Sequence, residues 1–173
     1  MPYDGPKLII IQPSPFCNIN CSYCYLRDRT NRARMSDATL VATSERIIAQ
    51  LDPSTSALLN WHAGEPTTVP LSWYRFATEL FSQSKRGVPL QFSLQTNGIG
   101  LNDEWVKFLI ETKTDVGISI DGPEDLHDAH RRTRGNRGTW QHSMAAFNRL
   151  RRHGIEPNVI TKRGGKGALS QLS

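Results

Sequence analysis

Lys7-Leu8-Ile9-Ile10-Ile11-Gln12-Pro13-Ser14-Pro15-Phe16-Cys17-Asn18-Ile19-Asn20-Cys21-Ser22-Tyr23-Cys24 is the stretch that decides the fold. Residues 7–12 are a β-branched run stopped by Pro13, which reads as a buried parallel strand. A loop from Ser14 to Arg34 follows and carries all three cysteines of the chain. A strand that hands over to such a loop fits a parallel α/β sheet, where ligands collect beyond the carboxyl ends of the strands.

The rest of the sequence repeats that grammar. Ser36-Asp37 caps a helix to about Leu51. Residues 57–62 read as a second strand, ending in Ala63-Gly64-Glu65-Pro66. Leu71 to Lys85 reads as a helix stopped by Gly87. Leu90–Gln95 is a third strand before Thr96-Asn97-Gly98, followed by a helix from Asn102 or Asp103 to about Thr112. Val116–Ile120 is a fourth strand before Asp121-Gly122-Pro123. Thr139 to His153 is a fourth helix, and residues 158–161 a fifth strand. The fold class is therefore α/β, with four βα units and one further strand in a parallel sheet. The motif-like turns all fall on the carboxyl side of strands.

Composition bounds the function. The chain has 173 residues, 38% hydrophobic and 21% charged, so it fits a globular domain and is short for a complete α/β barrel of about 250 residues. No apolar stretch approaches the ~20 residues of a spanning helix, and Met1–Pro6 does not resemble a signal peptide. A cytoplasmic protein with no membrane partner is expected. The net charge is +5, but residues 162–173 hold three cations and no acid, leaving only +2 on residues 1–161.

Three cysteines within eight residues, and none in the 149 that follow, make a poor disulfide framework. Buried thiols, a zinc site completed by a distant group such as His62, and an iron–sulfur cluster on three thiolates all remain open. In the last case a four-iron cluster keeps one iron free for a small chelating molecule.

The C-x3-C-x2-C spacing of Cys17, Cys21 and Cys24 after a first strand resembles the radical S-adenosylmethionine (SAM) superfamily. The chain is most similar to its peptide maturases with a C-terminal SPASM domain, including anaerobic sulfatase-maturing and cyclophane-forming enzymes. Gln12–Cys17, Trp61-His62-Ala63-Gly64-Glu65-Pro66, Gln95-Thr96-Asn97-Gly98, Ser119-Ile120-Asp121-Gly122-Pro123 and His127-Asp128-Ala129-His130-Arg131 carry the resemblance. It spans residues 7 to 161 and implies a partial, truncated (β/α) barrel. It also implies a [4Fe-4S] cluster on Cys17, Cys21 and Cys24 with SAM on the open iron. A 5′-deoxyadenosyl radical would then take hydrogen from a peptide or protein substrate, with a donor such as flavodoxin or ferredoxin supplying the electron.

The resemblance assigns further roles. Tyr23 lies beside the cluster and contacts SAM. The Gly64-Glu65-Pro66 turn offers backbone carbonyls to the SAM amino group, with Ala63 where many members have a second glycine. Gln95 and Asn97 line the cavity. Ser119 faces the SAM ribose or carboxylate, and Arg131 binds the carboxylate. No catalytic acid or base is assigned. His62 is a further candidate for SAM or substrate contact.

Two arginine clusters, residues 27–34 and 131–137, read either as solvated loops or as a basic patch. No nucleic-acid-binding signature accompanies them. Residues 1–161 are expected to be a partial radical SAM core, residues 162–173 a disordered basic tail, and the SPASM domain absent. Two other readings are an inactive fragment or subunit needing a partner chain, and a zinc-containing basic binding module.

Overall fold

The computed structural model describes residues 5–54, 56–83 and 89–162. Five parallel strands form one sheet in the order in which they occur: β1 (Leu8–Ile11), β2 (Ala57–Trp61), β3 (Leu90–Thr96), β4 (Asp115–Ser119) and β5 (Asn158–Ile160). This unbroken order is that of a barrel wall; a doubly wound sheet would reverse direction at a switch point. The helices are α1 (Asp37–Gln50), α2 (Leu71–Ser82), α3 (Asp103–Glu111), α4 (Glu124–His130) and α5 (Trp140–Arg152).

Local chemistry sets the helix starts. The Ser36 hydroxyl accepts the Thr39 N–H at 3.0 Å, and the Asn102 side chain accepts the Trp105 N–H at 3.0 Å. Asp128 does the same for α5 from a distance in sequence: its carboxylate accepts the Thr139 and Trp140 N–H groups at 2.8 and 2.9 Å.

Strand alternation divides the sheet into two faces. Leu59 and Trp61, Phe92 and Leu94, and Val116 and Ile118 point into the helix layer and are buried. There Trp61, Trp73, Tyr74, Phe81, Trp105 and Phe108 pack mostly edge to face, with ring centroids 5.0–6.4 Å apart. The opposite face carries Leu8, Ile10, Asn60, Ser93, Gln95, Gly117 and Ser119, alternating with those residues.

Two expectations need correction. β1 is an edge strand whose Leu8 and Ile10 are 55% and 57% exposed, because they lie on the face that the helices do not cover. Between β4 and the long helix expected there stands an additional short helix, α4; its polar sequence gave no apolar period. A 3₁₀ turn, Pro66–Thr68, follows the Gly64-Glu65 turn. The expected end of α2 at Lys85 and Gly87, and residues 163–173 of the expected tail, lie outside the described residues.

Candidate functional site

The cysteine loop is held against the carboxyl ends of the strands by contacts from distant parts of the chain. Ile19 bridges to Thr133, the Asn20 N–H donates to the Arg132 carbonyl at 2.7 Å, and the Ser22 N–H donates to the His130 carbonyl at 3.0 Å. Arg134 grips the Cys17 carbonyl with two N–H groups at 3.1 and 2.8 Å, and Arg29 donates to the Cys21 carbonyl at 3.0 Å. Ser14, Phe16 and Cys17 thereby fix the floor under the second turn. Gly64 has φ +66 and sits so close that a Cβ would lie 2.7 Å from the Phe16 carbonyl oxygen, and closer still to that of Ser14. Ala63, at φ 71, holds a left-handed conformation that an L residue adopts at a cost.

Glu65 is completely buried, and its carboxylate is saturated inside the protein. One oxygen accepts the Thr67 N–H at 3.0 Å and the Thr67 and Thr96 hydroxyls at 2.8 and 2.6 Å; the other accepts the Asn97 N–H at 2.8 Å. Burial pushes its pKa up, against the pull of these donors. Its own carbonyl is engaged by the Thr68 N–H and hydroxyl. Glu65 therefore welds the turn after β2 to the end of β3, and neither its carboxylate nor its carbonyl is presented to a ligand. Asn97 extends the weld: its side-chain amide donates to Asn18 at 2.8 Å and lies 4.0 Å from the Cys17 sulfur.

At the end of β4, Asp121 gathers the other half of the site. Arg131 donates to it through Nε at 2.8 Å and through a second nitrogen at 3.2 Å, the Tyr23 hydroxyl donates to Oδ2, and the Lys162 N–H donates at 3.0 Å. Burial opposes the Asp121 charge, but the Arg131 and Tyr23 hydrogen bonds outweigh it and hold the carboxyl below its ordinary range. Tyr23 shifts upward, through burial first and its bond to Asp121 second. Arg131 lies 5.5 Å and the Lys162 ammonium 4.1 Å from the centre of the Tyr23 ring. His127, fully buried, accepts the Asp121 N–H at 3.2 Å and meets the Thr139 hydroxyl at 3.0 Å.

The residues expected from the sequence thus fall into two groups. Cys17, Cys21, Cys24 and Tyr23 share one apolar pocket of the loop with Ile19 and Ile99. Gln95 and Ser119 meet on the uncovered face of the sheet, where the Gln95 amide donates to the Ser119 hydroxyl at 3.0 Å. Below them the register partners Asn60 and Ser93 each bury a polar atom without a hydrogen-bond partner among the described residues, which suits this face to a polar occupant. His62 is half-buried, and burial lowers its pKa. Arg131 is committed to Asp121 through two of its five donors. Sequence reasoning did not assign Asp121, Asn18, His127 or Lys162; the Ser-Ile-Asp-Gly turn held the signal for Asp121. Lys162, expected to open a tail, is seated at the site.

The three thiols fit a cluster. They are free, and Cys17 and Cys21 are buried. Burial pushes the Cys17 thiol up to about 12 and raises Cys21 as well, so cationic irons are what would draw thiolates here. Among the described residues no three His, Cys, Asp or Glu side chains are grouped to hold one metal ion. Three thiolates are one short of a structural zinc site and leave one iron of a four-iron cluster open, so the donor set suits a cluster better than a zinc ion. No described helix is long and apolar enough to cross a membrane.

Comparisons with known proteins agree with this geometry. The chain is 35% identical over 167 residues to a serine-type anaerobic sulfatase-maturating enzyme of Bacteroides thetaiotaomicron, covering 92% of this chain and 40% of that protein. It is 30% identical to a cysteine-type enzyme of Clostridium novyi, covering 90% and 43%. The solved structure of native anSMEcpe with bound AdoMet and the Cp18Cys peptide superposes with a TM-score of 0.81 at 28% identity, again covering 90% and 43%. The chain spans about two fifths of the length of these relatives. A profile of the Radical SAM superfamily matches residues 11–165. This chain belongs to the Radical SAM superfamily, whose two cofactors are a [4Fe-4S] cluster and S-adenosylmethionine.

Proposed function

We propose that this chain provides the cluster- and SAM-binding half of a maturase that modifies a peptide or protein by radical chemistry. The observation that carries the reading is the three-thiol loop pinned over the strand ends by Arg29, Arg134 and Asn97. When bound, the cluster and SAM supply the 5′-deoxyadenosyl radical. Cys17, Cys21 and Cys24 hold the cluster. Asn97 and the apolar neighbours Ile19 and Ile99 shield its sulfurs. Gly64 and Ala63 bring backbone close to the SAM amino group, and the Gln95–Ser119 pair orients the ligand on the uncovered face. Asp121 holds Tyr23 and Arg131 beside the loop, leaving the remaining Arg131 donors for a carboxylate.

Anaerobic reconstitution should give about four irons and as much sulfide per chain. Replacing Cys17, Cys21 and Cys24 by Ala should abolish both. One zinc and no sulfide would overturn the reading; 5′-deoxyadenosine released from SAM would extend it to chemistry. A second reading, that a further segment or partner chain must complete the wall, is favoured by both sheet edges. Leu8 and Ile10 on β1 and Val159 and Ile160 on β5 are each at least half exposed. Native mass measurement with and without a candidate partner tests it.

A further inference from the structure

The fold merges two arginine clusters that lie about a hundred residues apart in sequence. Arg134 donates to the Arg29 carbonyl, and Arg32 and Arg134 both lie over the Phe16 ring, 4.2 and 5.5 Å from its centre. Phe16 directly precedes Cys17. Of Arg27, Arg29, Arg32, Arg34, Arg131, Arg132, Arg134 and Arg137, only Arg34 and Arg131 have a carboxylate within 4.0 Å among the described residues. Six guanidinium groups thus have no paired carboxylate within 4.0 Å among the described residues, and all of them except Arg29 are exposed.

This surface has a definite side. Tyr23 turns inward to Asp121 and Lys162 at the strand ends. Phe16, Arg32 and Arg34 turn outward and line a cleft of about 290 Å³ with Thr68, Val69 and Pro70, next to the helix layer. Asn20, Ser22, His130, Arg132 and Arg134 line a second cleft of about 340 Å³ against the same loop. A peptide whose hydrogen is to be removed must enter on the inward side. A partner that only delivers an electron needs a close approach to the thiols from outside, and on this surface Arg134 and Arg29 bond directly to the Cys17 and Cys21 carbonyls.

We propose that the Arg27–Arg34 and Arg132–Arg137 surface is the docking site of an acidic one-electron carrier protein. This rests on the function proposed above. One electron would leave the carrier's anionic flavin hydroquinone, which becomes the neutral semiquinone with no proton released, and would reduce a cluster held by Cys17, Cys21 and Cys24 by one electron. Docking needs the surface and not the cluster, so it is measurable on the cluster-free chain.

The test uses a flavodoxin as the acidic carrier and the full chain. Its binding to cluster-free protein should weaken about tenfold or more between 0.05 and 0.5 M salt, as exposed charges become screened. Arg32→Glu combined with Arg137→Glu should weaken it at least as much at low salt. Arg152→Glu with Arg151→Glu, the same charge change at the far end of α5, should leave it within twofold. In reconstituted protein, stopped-flow reduction by flavodoxin should slow in parallel, while reduction by photogenerated deazaflavin radical stays unchanged. Gln in place of Glu at both positions keeps the test valid if charge reversal unfolds the chain. Flavodoxin binding that ignores salt and these arginines overturns the docking site, as does an effect seen only on binding of an acidic peptide. Failure to assemble iron and sulfide would instead overturn the functional reading and leave the binding measurement standing.

Discussion

Replacing Asp121 by Asn tests the logic of the site most directly. Asp121 is 9% exposed and accepts from Arg131 twice, from the Tyr23 hydroxyl and from the Lys162 N–H. An amide keeps the shape but removes the charge and turns an NH2 toward a donor. Arg131, itself 9% exposed, is then a buried cation without a counterion. Removing one partner of a buried pair costs about 3–5 kcal/mol. With a urea m-value of about 1–3 kcal/mol/M, the unfolding midpoint should fall by at least about 1 M. The pH dependence has a definite sign. The Asp121 pKa is lowered by folding, so its contribution is present above the ordinary carboxylate pKa and is lost as pH falls through the folded value. Wild type should therefore lose its advantage over Asp121→Asn in acid. Asp121→Asn with Arg131→Met should cost less than the two single changes added together, because the second removes the stranded cation. A loss below about 1 kcal/mol, or strict additivity, would refute this account of the hub.

Three further outcomes are expected. Ala63→Gly should stabilise the chain by about 0.5–1 kcal/mol, since relief of the left-handed strain exceeds the entropy glycine loses; a lower midpoint in urea would contradict the φ of 71°. Glu65→Gln should cost about 2 kcal/mol, because one of the Thr67 and Asn97 N–H donors then faces an NH2 group, and unchanged stability would show that the weld is dispensable. The Glu65 pKa is raised by burial, so wild type should gain stability relative to that variant as pH falls toward the ordinary carboxylate range. Gly64→Ala should prevent the cysteine loop from seating, read as lost iron after reconstitution; normal iron content would mean that the loop yields easily.

The sequence was most informative where one periodicity dominates. The apolar strands and the amphipathic α1, α2, α3 and α5 lie within a residue or two of their expected starts. α4 escaped because Glu124-Asp125-Leu126-His127-Asp128-Ala129-His130 offers one apolar anchor, and its stability comes from His127 and Asp128 bonding to residues 121, 139 and 140. Leu8 and Ile10 misled because a β-branched run reads alike whether one face or both are covered. At the site, the resemblance set Tyr23 beside the cysteines and Gln95 and Ser119 in the cavity; Tyr23 packs in the cysteine cluster, and Gln95 bonds Ser119. It did not foresee that the Glu65 carboxylate and carbonyl are consumed, or that Asp121 already holds Arg131. The Glu65 carbonyl is taken by Thr68 three residues on, but the carboxylate's bonds to residues 96 and 97 and those of Asp121 to Arg131 and Tyr23 reach across 10 to 98 residues, which no local spacing encodes.

The clamp on the cysteine loop also dictates an order of events. Strand neighbours here are sequence neighbours, so the sheet can grow from β1 onward as the chain emerges. The loop that follows β1 is different, because Tyr23 closes on a residue 98 positions later and the Cys17 carbonyl on one 117 positions later. The loop after β1 is therefore synthesised before the segments that fix it and is among the last to be fixed. Until synthesis passes Arg134 the loop lacks its grip on the Cys17 carbonyl, and metal delivery before that point meets an incompletely clamped loop.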